Sequence, residues 1–223
     1  MLFYLLHISN TNVIASEYQQ TLWELQLQQE DFQRAYGRAN NEIIQKEVIN
    51  SARKHIFEKI QHQLYPYWKG TGWAYSGTTE TPRKGKIACG YFVSTILRDA
   101  GFEVDRVKLA QQASEKIVKT FAEETDIQRF RNKPIQSFVN SIIAMGDGLY
   151  IVGLDTHVGI MLVENGKAQF VHSAQSLRGG VRAENPLKSK VLKRSKYRIV
   201  GRALSDEMMV KWLKREKVET YLL

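Results

Sequence analysis

The spacing of apolar residues changes character near Gly146. Before it, residues 17–63 hold almost no glycine or proline and many Gln, Glu, Leu and Arg, all good helix formers. Gly37 and the run Ala39-Asn40-Asn41 predict a break that leaves two helices. In the second, Ile43, Ile44, Val48, Ile49, Ile56, Phe57 and Ile60 recur at three- and four-residue intervals, which predicts one core-facing stripe. Residues 65–88, rich in Gly, Thr and aromatics, read as an ordered loop. A helix over 89–100 follows, with Phe92, Val93, Ile96 and Leu97 as its buried face and Gly101 as its stop. Residues 107–124 and 133–146 read as further helices. After Gly146 the pattern turns to short apolar runs, so 148–154, 157–163, 168–174 and 197–203 read as strands. The second and third are joined through Glu164-Asn165-Gly166-Lys167, a hairpin signal. A last helix is expected from Ser205, as N-cap, to Arg215. Helices first and antiparallel strands afterwards predict an α+β fold, unlike the alternation of a doubly wound sheet.

Composition narrows the partners. The 223 residues suffice for one domain with an extension. No run approaches the roughly 18 apolar residues that signal a membrane span, so none is expected. The 32 basic and 23 acidic residues leave a net charge of +9, which favours a polyanionic neighbour such as nucleic acid, anionic lipid or an acidic wall polymer. The bases are spread along the chain and lack the interleaved aromatics of a single-strand binder, so no nucleic-acid partner is expected. Their densest cluster, 187–198, reads as a solvated face. The N-terminal residues 1–15 carry an apolar stretch from Leu2 to Ile8 and small residues before Ser16. They read either as a secretory signal without its basic start or as a plain apolar leader.

A single cysteine excludes an intrachain disulfide and any zinc site built on several thiolates. His55 and His62 lie on the helical stretch without a third ligand at helical spacing, and both read as packing or surface residues. Cys89 stands where a helix begins. There the partial positive charge and unpaired N–H groups stabilise a thiolate. A lone cysteine is otherwise a small apolar filler, so a nucleophile needs a partner. His157 and His172 supply candidates. If 164–167 closes the hairpin, both histidines lie towards the same end of neighbouring antiparallel strands. One imidazole is then placed to serve as base and the other to orient it.

The order of segments resembles the NlpC-type cell-wall cysteine peptidases, a papain-like family. The matching pieces are "WAYSG" (73–77), "IACGYFVSTIL" (87–97), "GDGLYIV" (146–152), "HVGIMLV" (157–163) and "FVHSAQSLRGGVR" (170–182). The resemblance covers residues 45–203, and "HVGI" and "FVHSA" are its most specific parts. The resemblance implies helices packed on a central antiparallel sheet, one of them carrying the cysteine at its N-terminus. It implies an N-terminal helical extension (16–63), a peptidase domain (64–204) with a helical insertion over 103–145, and a C-terminal helix (205–223). It makes Cys89 the nucleophile, His157 the general base and His172 the residue that orients it. Trp73 falls where the family has an aromatic near the oxyanion, and Tyr75 is the nearby hydroxyl. The Cys89 N–H is implied as an oxyanion donor. Gly90 stands where a serine is customary and Ala88 where an aspartate is, positions that bind the free amine of the stem peptide.

The implied activity is cleavage of an amide in peptidoglycan stem peptides, next to γ-linked D-glutamate, without metal or organic cofactor. It carries an expectation of export to the periplasm or cell envelope. The departures at Ala88 and Gly90 keep two alternatives open. One is a related thiol amidase or acyltransferase acting on a non-wall substrate. The other is a non-catalytic wall-binding module.

Overall fold

A computed structural model of the chain describes residues 2–175 and 180–222, with side chains from Val13 onward. The N-terminal helical run breaks where glycine and asparagine interrupt it. Helix α1 (Leu2–Arg38) ends there, and α2 (Glu42–Lys59) begins at Asn41, whose side chain accepts the Ile44 N–H at 2.9 Å. A π-helical turn (Ile60–Leu64) leads into α3 (Tyr65–Trp68), so the expected loop starts only after Trp68. Ile49, Ile56 and Ile60 are buried as the stripe predicts. Ile43 and Ile44 are 74% and 39% exposed, because they occupy the first turn of α2 beside the connection from α1 and meet no second layer.

The helical extension is bonded to the rest of the fold through buried polar groups. The Tyr18 hydroxyl donates to Asp99 and accepts the Trp68 indole N–H at 2.8 Å. Gln29, itself buried, donates to the carbonyls of Gly101 and Trp212. Helix α4 (Cys89–Asp99) buries Phe92, Val93, Ile96 and Leu97, the face its periodicity predicts, and Gly101 follows it at φ +97°. Residues 107–124 form two helices, α5 (Arg106–Ala110) and α6 (Ser114–Phe121), where the sequence predicts one. Ala113 is extended, and the Ser114 hydroxyl donates to the Leu154 carbonyl at 2.6 Å. That contact turns α6 onto the sheet.

Six strands form one antiparallel sheet in the order β1-β6-β2-β3-β4-β5. They are β1 (Ile127–Arg131), β2 (Gly148–Leu154), β3 (Val158–Glu164), β4 (Lys167–Ser173), β5 (Val181–Glu184) and β6 (Tyr197–Arg202). Four match predicted strands; β1 and β5 are the edge strands that the sequence pattern hides. The expected helical insertion therefore also contributes a strand, β1, alongside α7 (Ile135–Ala144). Asn165 and Gly166, at φ 51° and 70°, make the two-residue turn between β3 and β4. Leu149, Ile151, Ile160, Val171 and Ile199 pack with α4 and α6, and Tyr150, Val152, Met161, Val163 and Phe170 pack with α7. The period of two along each strand thus buries both faces. A short helix α8 (Lys190–Arg194) precedes β6, and α9 (Asp206–Lys214) begins at Ser205, which caps the Met208 N–H as expected. Among the described residues no helix is long and apolar enough to cross a membrane.

Candidate functional site

The segment before α4 fixes where the cysteine sits. The Ile87 N–H donates to Gly72 and the Ala88 N–H to Gly77, each at 2.8 Å. The Ser173 hydroxyl of β4 donates to the Ile87 carbonyl at 2.7 Å. Gly77 is required for this approach, since a Cβ there would lie 2.7 Å from the Ile87 nitrogen. The backbone at Ala88 is extended and its methyl caps nothing, so no capping side chain takes up the first-turn N–H groups of α4. The N–H groups of Val158, Gly90 and Cys89 itself point at the sulfur. Burial nevertheless pushes the Cys89 thiol above its ordinary pKa, and these three donors only partly offset it.

Val158 adjoins His157, and both line the cavity that holds Cys89. His157 Nε2 lies 2.9 Å from His172 Nδ1, and His172 Nε2 lies 3.1 Å from Glu184 Oε1. Arg182 donates to the other Glu184 oxygen at 3.3 Å. Burial and the neighbouring His172 hold His157 down to about 3, and burial also lowers His172. Glu184 falls to about 2: burial works against this, but bonds from His172 and Ser189 and the Arg182 charge outweigh it.

Those shifts assign the protons. An ionised Glu184 only accepts, so His172 Nε2 carries the hydrogen. A neutral His172 then has its lone pair on Nδ1, and the His157 Nε2–H donates to it. The remaining lone pair is on His157 Nδ1. His157 and Cys89 line one cavity of about 560 Å³, so this lone pair is the available base.

Glycine makes the imidazole pair possible. One step from the Ile160–Val171 pair, Gly159 faces His172 across the hairpin. A Cβ at Gly159 would come 2.6 Å from the Phe170 ring and 3.0 Å from His172 Cβ. Phe170 in turn stacks on His172 with ring centroids 4.5 Å apart.

The structure thus brings together Cys89, His157 and His172 from three separate segments. Gly90 lines the same cavity, but its role is close packing: a Cβ there would lie 2.2 Å from the Ala110 carbonyl oxygen. Trp73 and Tyr75 are not in the cavity wall. Trp73 is half-buried with its backbone held against Gly180, and Tyr75 is 90% exposed. Positions 176–179 of the matching segment lie outside the described residues. His55 packs on Phe32 with centroids 5.3 Å apart, and His62 lies near Tyr67 and Arg83, away from the cysteine.

Glu184 is the site residue that the sequence reading missed. Once β5 is known as a strand, Arg182 and Glu184 fall on one face of it, a cation beside a carboxylate. Among the described residues no cluster of His, Cys, Asp and Glu is arranged to hold a metal ion. Comparison of the chain with protein-family models, with curated proteins and with solved structures finds no match.

Proposed function

We propose that the chain is a thiol hydrolase of the papain-like, NlpC-type class, with Cys89 as nucleophile, His157 as base and His172 and Glu184 as its orienting chain. The hydrogen-bonded sequence His157–His172–Glu184, whose first imidazole lines one cavity with the chain's single cysteine, carries this reading. A buried neutral imidazole pair joined to an ionised carboxylate is costly to assemble for packing alone.

In the resting site the raised thiol and the lowered His157 favour the neutral pair over a preformed thiolate–imidazolium. His157 Nδ1 takes the thiol proton as sulfur attacks the substrate carbonyl. The oxyanion forms near the N–H groups at the start of α4, which no side chain caps. Glu184, through His172, stabilises the imidazolium that exists during the reaction. His157 then returns its proton to the leaving amine, and water releases the acyl-enzyme.

The substrate we propose is an amide of peptidoglycan stem peptides, next to γ-linked D-glutamate, on the resemblance of the HVGI and FVHSA segments. The net charge of +9 suits an anionic wall and export to it. Ala88 supplies no carboxylate for the free amine of a stem peptide, which favours acyl transfer on a non-wall amide as the second reading.

The deciding experiment is a mass-spectrometric digest of purified tri- and tetrapeptide muropeptides by the wild type and by Cys89→Ala. Fragments formed by the wild type alone support the wall reading and identify the bond. Intact muropeptides with an active thiol reject the wall substrate and leave the second reading.

A further inference from the structure

The cavity that holds Cys89 and His157 also carries charge. Glu115, Asp155 and Arg131 line it together with Tyr197. Both carboxylates are engaged. Glu115 accepts the Tyr197 hydroxyl at 2.9 Å and pairs with Arg129 at 3.3 Å. Asp155 accepts the Lys196 N–H at 2.7 Å and the Ser195 hydroxyl at 3.0 Å.

Arg131 differs. Among the described residues its guanidinium has no ion-pair or hydrogen-bond partner; it lies 4.6 Å from the centre of the Tyr197 ring. Tyr197 is its directly opposed residue on β6, and the bond to Glu115 holds that ring in place. Stacking of this kind fixes the guanidinium while leaving the N–H donors at its edge free. Arg129, on the same strand two residues earlier, instead spends its donors on Glu115 and Glu124. The edge of the sheet therefore supplies acidic partners for one arginine and leaves the other open towards the cavity.

We propose that Arg131 determines specificity at this site by receiving a carboxylate of the substrate while Cys89 attacks its carbonyl. The inference rests on the thiol-hydrolase reading. The planar fork of a guanidinium matches a carboxylate through two parallel bonds. A phosphate suits the cavity less well, because Glu115 and Asp155 in its wall repel a dianion that a single cation does not neutralise.

The test uses the full chain and a series of iodoacetyl-capped ω-amino acids, from glycine to 6-aminohexanoate, each paired with its neutral carboxamide. The Cys89 sulfur displaces iodide, and intact-mass spectrometry follows the rate at pH 8. In the wild type the carboxylate-to-carboxamide rate ratio rises to about tenfold at the length that spans sulfur and guanidinium, the scale of one charge-assisted bond. Arg131→Ala lowers that maximum to one or below, since Glu115 and Asp155 then dominate the field. Arg131→Lys keeps part of it. Lys133→Ala, which removes an equal charge from an exposed residue outside the cavity wall, keeps the wild-type profile.

A flat ratio at every length in the wild type, with normal carboxamide alkylation, overturns the inference and leaves the thiol reading standing. A maximum that survives in Arg131→Ala also overturns it. Failure of every probe to alkylate Cys89 rejects the thiol reading, and the inference with it.

Discussion

At the scale of the residue, the cysteine in the cavity and the carboxylate at the far end of the imidazole chain can be interrogated separately. Because burial raises the Cys89 thiol and lowers His157, alkylation of Cys89 by iodoacetamide should climb steadily with pH through and above the ordinary thiol range. A rate plateau reaching below pH 6 would instead reveal a standing thiolate–imidazolium pair and overturn the neutral assignment. Glu184 fixes the tautomer from the far end. Glu184→Gln can turn its amide NH₂ towards His172 Nε2, which forces the hydrogen to His172 Nδ1 and reverses the direction of the chain. His157 would then carry its hydrogen on Nδ1 and have no lone pair for the thiol. We expect a loss of activity of about 100-fold or more, as for other mis-set imidazole tautomers. The accompanying ¹⁵N shifts should show protonation moving from Nε2 to Nδ1 in both imidazoles. Lost activity with unmoved ¹⁵N shifts would mean that Glu184 acts only through packing.

At the scale of the element, the β3–β4 hairpin is the device that brings the two histidines together, and Gly159 is its most exacting position. Gly159→Ala places a methyl 2.6 Å from the Phe170 ring, which is fully buried and stacked on His172. Overpacking of this kind costs about 1–3 kcal/mol. Chemical denaturation should register that loss, and activity should fall further than stability because His172 moves off His157. A variant with wild-type activity and wild-type stability would sink this account of the glycine. The hairpin was legible in the sequence because Asn165-Gly166 sets the turn and apolar alternation sets the strands. Helix α4 was legible for similar reasons: Phe92, Val93, Ile96 and Leu97 mark its face and Gly101 its end. The edge strands were not. In β1, Gln128, Arg129 and Arg131 hide the pattern, since an edge strand needs few apolar residues and tolerates charge. In β5, four residues are too few to show a period. Glu184 was lost with β5, because only the β4–β5 pairing brings it within reach of His172. Ile43 and Ile44 carry the helical period correctly, but no period says whether a second layer extends that far. Trp73 and Tyr75 were assigned by resemblance, and the path of the loop keeps both out of the cavity.

At the scale of the whole molecule, a site built from buried neutral imidazoles makes the fold sensitive to acid. The unfolded chain protonates a histidine near the ordinary value of about 6.5, whereas folded His157 resists protonation down to about 3. Between those values the unfolded state binds the extra proton, so its contribution to stability is full above pH 6.5 and is lost as pH falls towards 3. One such group contributes a slope of about 1.4 kcal/mol per pH unit. His172 is lowered in the same direction by burial, and His55 by burial and the nearby Lys59, so the total slope between pH 6.5 and 5 should exceed that of one proton. Glu184 adds a loss only lower, as pH falls from its ordinary carboxylate range towards 2. Asp99 acts oppositely: burial raises its pKa, so its contribution is present in acid and fades as pH rises through that raised pKa. Urea unfolding at half-unit steps from pH 7.5 to 5 measures the slope directly. His157→Gln removes one titrating group while keeping a polar side chain of similar reach. Its slope should be shallower than that of the wild type by about one proton's worth, whatever the substitution does to stability at pH 7.5. Equal slopes in the two proteins would show that His157 titrates alike folded and unfolded, and would remove the neutral base on which the proposed chemistry depends.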